Sequence, residues 1–270
     1  MFLKRLFYLV AALSICGLIV SCSQNDKQCD DKKAAEEKSA DSPSKDKSTE
    51  AKADDSVKEP EATTTGTDSK DGFVLLTDVI PDAILEIRYF STFNFMGVRV
   101  DGYNAPIAYL TKEAADSLKA VSDDVKAMGY RLKIYDAYRP QCAVDHFVRW
   151  SQVPSDTITK RYFYPDIDKP RLFEEGYIAK KSRHSCGSTI DLTLFDMKTE
   201  KEVDMGSPFD WLGEESHPDY AGVTPEQHKN RMILRDAMVR HGFRGISTEW
   251  WHFVLKNEPY PDTYFTFPIE

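Results

Sequence analysis

The chain has 270 residues, of which 41% are hydrophobic and 12% aromatic, enough to build one large core or two small ones. Its 44 acidic and 35 basic residues leave a net charge of −9, which speaks against a nucleic-acid-binding surface. The apolar residues are distributed unevenly, so the chain divides into three segments.

In the first segment, residues 1–21, Lys4 and Arg5 precede an apolar run from Leu6 to Val20. That run is short for a membrane span and suits a secretory signal. It closes in Ile19-Val20-Ser21-Cys22, which is similar to a bacterial lipobox. The similarity implies that Cys22 carries lipid and becomes the mature N-terminus. The protein would then be exported and anchored to a bacterial membrane, on its periplasmic side or at the cell surface. A plain signal peptide with an incidental Cys22 is the alternative.

Residues 22–71 form the second segment. From Ser23 to Asp71 there is no aromatic residue, Val57 is the single branched aliphatic, and 14 acidic face nine basic residues, a net −5. Such a composition cannot bury enough surface to offset ordering entropy, so a disordered tether is expected. The signal carries +2, which leaves −9 − 2 + 5 = −6 for residues 72–270, the expected single catalytic domain.

Within that domain, Thr111 opens a helical pattern with Leu118, Val121, Val125 and Met128 at spacings of three and four, stopped by Gly129. Tyr130, Leu132 and Ile134 alternate with Arg131 and Lys133, a half-buried strand that delivers Asp136 and Arg139 to its end. Gln141 to Trp150 again reads as helix. Ile190, Leu192 and Leu194 alternate with Asp191, Thr193 and Phe195, which turns Asp191 away from the aliphatics. Thr224-Pro225-Glu226-Gln227 is a capping box opening a helix that Gly242 closes. Trp251 to Leu255 reads as a strand, with Glu249 before its regular pairing or at a bulge. Strands and helices that do not strictly alternate indicate α+β.

Two motifs carry chemistry. Ser182-Arg183-His184 is followed by Asp191, and Glu249-Trp250-Trp251-His252 lies near the C-terminus. Two imidazoles and a carboxylate can bind zinc and leave a position open for water, and a further carboxylate can take that water's proton. His184, Asp191 and His252 are therefore the candidate ligands of one zinc per chain, and Glu249 the candidate general base. An acidic residue inside an apolar strand, as Asp191 is, needs such a partner.

Ser182, His184, Gly187 and Asp191 in S-x-H-x-x-G-x-x-x-D, with Glu249 and His252 in E-x-x-H, closely resemble the zinc D-alanyl-D-alanine dipeptidases. Two more blocks agree in order, Tyr135-Asp136-Ala137-Tyr138-Arg139-Pro140-Gln141 and Met205-Gly206-Ser207-Pro208-Phe209-Asp210. The resemblance implies a small antiparallel sheet flanked by helices, the fold of D,D-peptidases and Hedgehog domains. It implies hydrolysis of D-Ala-D-Ala in peptidoglycan metabolism or glycopeptide resistance. It assigns Arg139 to the oxyanion, Asp210 to the ammonium of a dipeptide, and Tyr89 and Ser182 to substrate contact. Two alternatives stay open: a D,D-carboxypeptidase or L,D-peptidase acting on peptidoglycan stems, and a non-catalytic, zinc-stabilised binding lipoprotein.

Cys142 lies three residues after Arg139 and Cys186 two after His184. Residues that converge on one site bring their neighbours with them, so Cys142 and Cys186 could pair in an oxidising compartment, with Cys29 left over in the tether; two free buried thiols are the alternative.

Overall fold

The computed structural model describes residues 66–270; the expected signal, lipidated Cys22, Cys29 and nearly all of the tether lie outside the described residues. Strand β1 (Gly66–Thr67) is followed by β2 (Phe73–Leu75), the helical turn α1 (Leu76–Val79), β3 (Ile84–Leu85) and β4 (Tyr109–Thr111). Next come α2 (Lys112–Ala127), β5 (Tyr130–Asp136), α3 (Gln141–Ser151) and the turns α4 (Lys160–Phe163) and α5 (Arg171–Glu174). The remainder comprises β6 (Thr189–Asp196), β7 (Lys201–Glu202), α6 (Pro225–Arg240), β8 (Phe243–Gly245), β9 (His252–Leu255) and β10 (Tyr264–Phe265).

The fold is α+β. Its main sheet runs β3-β5-β6-β9-β8, with β7 extending β6. All its pairs are antiparallel except β3 with β5, a parallel edge that sequence alternation does not reveal. Helix α2 buries Ala114, Ala115, Leu118, Val121 and Val125, the three-and-four spacing of one face, against β5 and α6. Helix α6 begins as expected: the Thr224 hydroxyl accepts from the Gln227 amide at 3.2 Å, and the Gln227 side chain accepts from the Thr224 amide at 2.8 Å.

The sheet register sets the site. Ile134 pairs with Leu192, then a bulge passes over Tyr135 so that Asp136 pairs with Asp191. On the other side, Asp191 pairs with His252. Directly opposed residues of antiparallel strands share a face. Asp136, Asp191 and His252 therefore form a row across three adjacent strands.

A C-terminal strap closes one flank. The Ile269 amide donates to the Gly102 carbonyl at 2.8 Å and the Ile269 carbonyl accepts from the Asn104 amide at 2.8 Å, so Tyr103 is paired with Ile269. Phe267 stacks on Tyr138 at 4.1 Å, and its carbonyl accepts from the Tyr138 hydroxyl. Strand β1 lies ahead of the expected Gly72 boundary. Gly66 and Thr67 pair with Tyr264 and Phe265, whose ladder supplies backbone partners that composition does not show.

Candidate active site

His184 sits on a single helical turn, Arg183–Cys186, between β6 and the preceding loop. The Ser182 hydroxyl caps that turn by accepting the His184 amide at 3.3 Å. Gly187 ends it at φ 81°, where an added Cβ would run into the Phe73 ring. The His184 Nδ1 lies 2.7 Å from the Ala137 carbonyl, which can only accept, so Nδ1 carries the proton and Nε2 presents a lone pair.

That lone pair faces Asp191 Oδ2 at 3.3 Å and His252 Nδ1 at 3.2 Å. His252 Nδ1 is also 3.0 Å from Asp191 Oδ1. One donor atom from each of the three residues falls within 4.8 Å of the others, and all three lie deep in the site. Asp191 Oδ1 is buried without a hydrogen bond despite that proximity, as expected of an oxygen whose partner is a cation. The donor set, two imidazole nitrogens and a carboxylate, fits a divalent transition metal such as zinc.

Charge is concentrated here. Against the burial that would raise it, the positive charge of His184 and His252 in their protonated forms holds the Asp191 carboxyl well below the usual carboxylate range, the place a metal's charge would take. Glu249 precedes β9 in the loop, with Oε2 3.6 Å from His252 Nδ1. Burial, aided by the Asp191 charge, pushes the Glu249 carboxyl up to about 7. That value suits a group that takes and returns a proton near neutrality.

Arg139 follows β5. Its Nε and Nη2 bind Asp136 Oδ2 at 3.0 and 2.8 Å, and Nη2 reaches to 3.7 Å from Asp191 Oδ2. Asp136 is held in turn by the Tyr103 hydroxyl, which donates to Oδ1 at 2.6 Å. The guanidinium lies 4.9 Å over the Tyr89 ring and 5.0 Å over Phe147.

Asp210 closes the far side. Its backbone is left-handed, with φ 61°, a conformation that aspartate tolerates better than most residues. The Tyr89 hydroxyl donates to Oδ1 at 3.1 Å, while Oδ2 is buried with no partner. Burial, with the Asp191 charge added, pushes its carboxyl well above the ordinary range. An ammonium would satisfy Oδ2 and restore the charge. Tyr89, Arg139, Ser182, His184, Asp191, Asp210, Glu249 and His252 all line one pocket of about 260 Å³.

The sequence profile of the D-Ala-D-Ala dipeptidase peptidases matches residues 69–270. The chain belongs to this family. A D-alanyl-D-alanine dipeptidase of Enterococcus faecium is 41% identical over 199 residues, which span 74% of this chain and 98% of the relative. A relative of the same name from Enterococcus faecalis is 42% identical, with 74% of this chain and 99% of the relative covered. One from Streptomyces coelicolor is 40% identical, with 73% and 98% covered. These relatives are matched over almost their whole length by about three quarters of this chain, and the family match, residues 69–270, falls on the described domain.

Every pocket residue anticipated from the dipeptidase motifs is thus brought together. The disulfide is the exception. Cys142 and Cys186 are both free thiols: Cys142 Sγ packs beside Gly102, whereas Cys186 Sγ faces the Pro261 carbonyl at 3.7 Å. Closeness of neighbours along the chain does not fix the direction of a side chain. Tyr103 was not anticipated, because Val100-Asp101-Gly102-Tyr103 lies in an irregular stretch without periodicity. The pocket walls formed by Phe147, Tyr177 and Trp251 likewise carry no motif of their own.

Proposed function

We propose that this domain is a zinc dipeptidase that hydrolyses free D-alanyl-D-alanine, one zinc per chain being held by His184, Asp191 and His252. When bound, that ion supplies a Lewis acid and an acidified water. Glu249 accepts the water's proton on its carboxylate and passes it to the nitrogen released as the peptide C–N bond breaks. The Arg139 guanidinium, fixed by Asp136, faces the negative charge that develops on the carbonyl oxygen. Asp210 receives the ammonium of the first residue, with Tyr89 holding its other oxygen, and Ser182 borders the substrate at the metal-bearing turn.

The observation that carries this reading is the unpartnered, buried Asp210 Oδ2 in the same pocket as the metal set. A carboxylate there favours a substrate with a free amino group close to the scissile bond. In a wall stem cleaved by a carboxypeptidase, the α-nitrogen of that residue is acylated and bears no charge. The deciding assay loads residues 66–270 with zinc and compares D-Ala-D-Ala with N-acetyl-D-Ala-D-Ala. Strong preference for the free dipeptide supports the reading, and equal rates would replace it with the carboxypeptidase. The run ending Ile19-Val20-Ser21-Cys22 supports the further reading that the enzyme is lipid-anchored through Cys22. Cys22→Ser should then shift it out of the membrane fraction or stall its processing.

A further inference from the structure

Two surface stretches meet on the flank of the domain, the loop 91–100 and the segment 157–164 that contains α4. They are in contact: a Cβ built on Gly97 would lie 3.3 Å from the Ile158 side chain, and the Phe93 ring centre is 5.7 Å from that of Phe163. Their outward residues are apolar. Phe93 is 59% exposed, Val98 45%, Ile158 78% and Tyr162 50%, in a domain that buries most other large hydrophobic side chains. Single exposed hydrophobics need no explanation, but four from two touching segments form a patch.

The charge of this face differs from that of the domain. Residues 91–100 and 157–164 hold three cations, Arg99, Lys160 and Arg161, and no acidic residue, although residues 72–270 carry a net −6; the nearby Asp156 and Asp168 are paired with Lys169 and Lys160. Lys160 is committed to Asp168 at 2.8 Å. Among the described residues, neither Arg99 nor Arg161 has an acidic partner; Arg161 lies 4.3 Å over the Tyr162 ring and donates to its hydroxyl, and Arg99 lies 5.9 Å from the Phe90 ring. Aromatic and branched side chains beside unpaired guanidinium groups are the composition that seats a protein in the headgroup region of a bilayer. The rings and aliphatics enter the acyl boundary while the arginines meet lipid phosphate.

We infer that the face bearing Phe93, Val98, Ile158 and Tyr162, with Arg99 and Arg161, docks this domain on an anionic lipid surface. The inference does not depend on the zinc chemistry or on lipid at Cys22. It adds a second, reversible contact that would set how the domain lies on the membrane, and each cation should contribute about fivefold to the affinity.

The test uses residues 66–270, which lack Cys22, in co-sedimentation with vesicles of equal parts phosphatidylglycerol and phosphatidylcholine, and with pure phosphatidylcholine. The wild-type domain should sediment with the anionic vesicles, and less so at high salt. Phe93→Ser with Ile158→Ser and Tyr162→Ser should weaken that binding by about a hundredfold, on the scale of apolar burial. Arg99→Glu with Arg161→Glu should abolish the preference for anionic over neutral vesicles. Unchanged near-ultraviolet circular dichroism and melting temperature certify that the variants fold. Failure of the wild-type domain to bind anionic vesicles would overturn the proposal, as would equal binding by the triple serine variant. Concentration-dependent dimerisation lost in that variant, without vesicle binding, would overturn it in favour of a second copy of the chain.

Discussion

At one end of the pocket, Asp136 is fully provided for: Tyr103 donates to one oxygen, and Arg139 holds the other with two nitrogens. At the other end, Asp191, Glu249 and Asp210 share a buried space, two of them with an oxygen that has no hydrogen bond. Both ends rest on the same sheet, Asp136 and Asp191 being paired across β5 and β6. The first arrangement is complete from the protein's own groups and acts as a rigid mount. The second leaves oxygens without a partner, which the metal ion and substrate ammonium of the proposed reaction would supply. Buried charges left uncompensated cost stability, so the unfinished end is where function is bought with fold energy.

The largest effect should come from the unfinished end. His184→Ala removes a donor atom, and the purified variant should lack zinc by metal analysis and be inactive. Glu249→Ala should keep near-stoichiometric zinc and lose roughly a hundred- to ten-thousandfold in kcat. Zinc loss from Glu249→Ala would make that carboxylate a ligand and erase the distinction of roles.

At the finished end, Arg139→Lys keeps the charge but cannot reproduce the fork on Asp136. It should retain zinc and lose about a hundred- to a thousandfold in kcat, with KM less affected. A lysine variant of normal kcat would show that the guanidinium only braces Asp136.

Acidity separates the ends more subtly. The Glu249 carboxyl moves from its ordinary 4.5 to about 7 on folding. A raised folded-state pKa means that the native state holds the proton more tightly, so this group's favourable contribution is present at low pH. It is lost as pH rises from 4.5 through about 7. In the zinc-free domain, Glu249→Gln stays neutral and should match wild type in acid but melt at a higher temperature above neutrality. A gap that fails to widen across that interval would show that Glu249 is not under strain.

The smallest expected change is Tyr103→Phe, which deletes one hydrogen bond to Asp136. It should cost about 1 kcal/mol in thermal or denaturant unfolding and lower kcat more than it raises KM, with zinc content unchanged. A purely structural tyrosine would leave kcat untouched at full folding.

What the sequence shows and hides follows from the range of the forces involved. Helix α2 was legible because its apolar spacing is local, and α6 because its capping box and proline fall within four residues. The clustering of His184, Asp191 and His252 was legible as motifs, since donor chemistry constrains residue type. The bulge between Ile134 and Asp136 was not. Tyr135 and Asp136 are both buried there, so the alternation that marks a strand disappears where the register shifts. The parallel β3 edge and the Tyr103 contact depend on pairings between distant segments. The cysteines misled because Cys142 sits on the first turn of α3 and faces Gly102, while Cys186 looks toward Pro261.

The pairing of Tyr103 with Ile269 gives the molecule a sense of time. Residues up to Leu255 contain every candidate metal donor together with Glu249 and Arg139, so these groups all precede the strap in the chain. A chain of that length does not yet hold the backbone partner that fastens Gly102 and Asn104 on either side of Tyr103. Phe267, which stacks on Tyr138 beside Arg139, also arrives late. The arginine mount is thus among the last parts that vectorial synthesis can assemble.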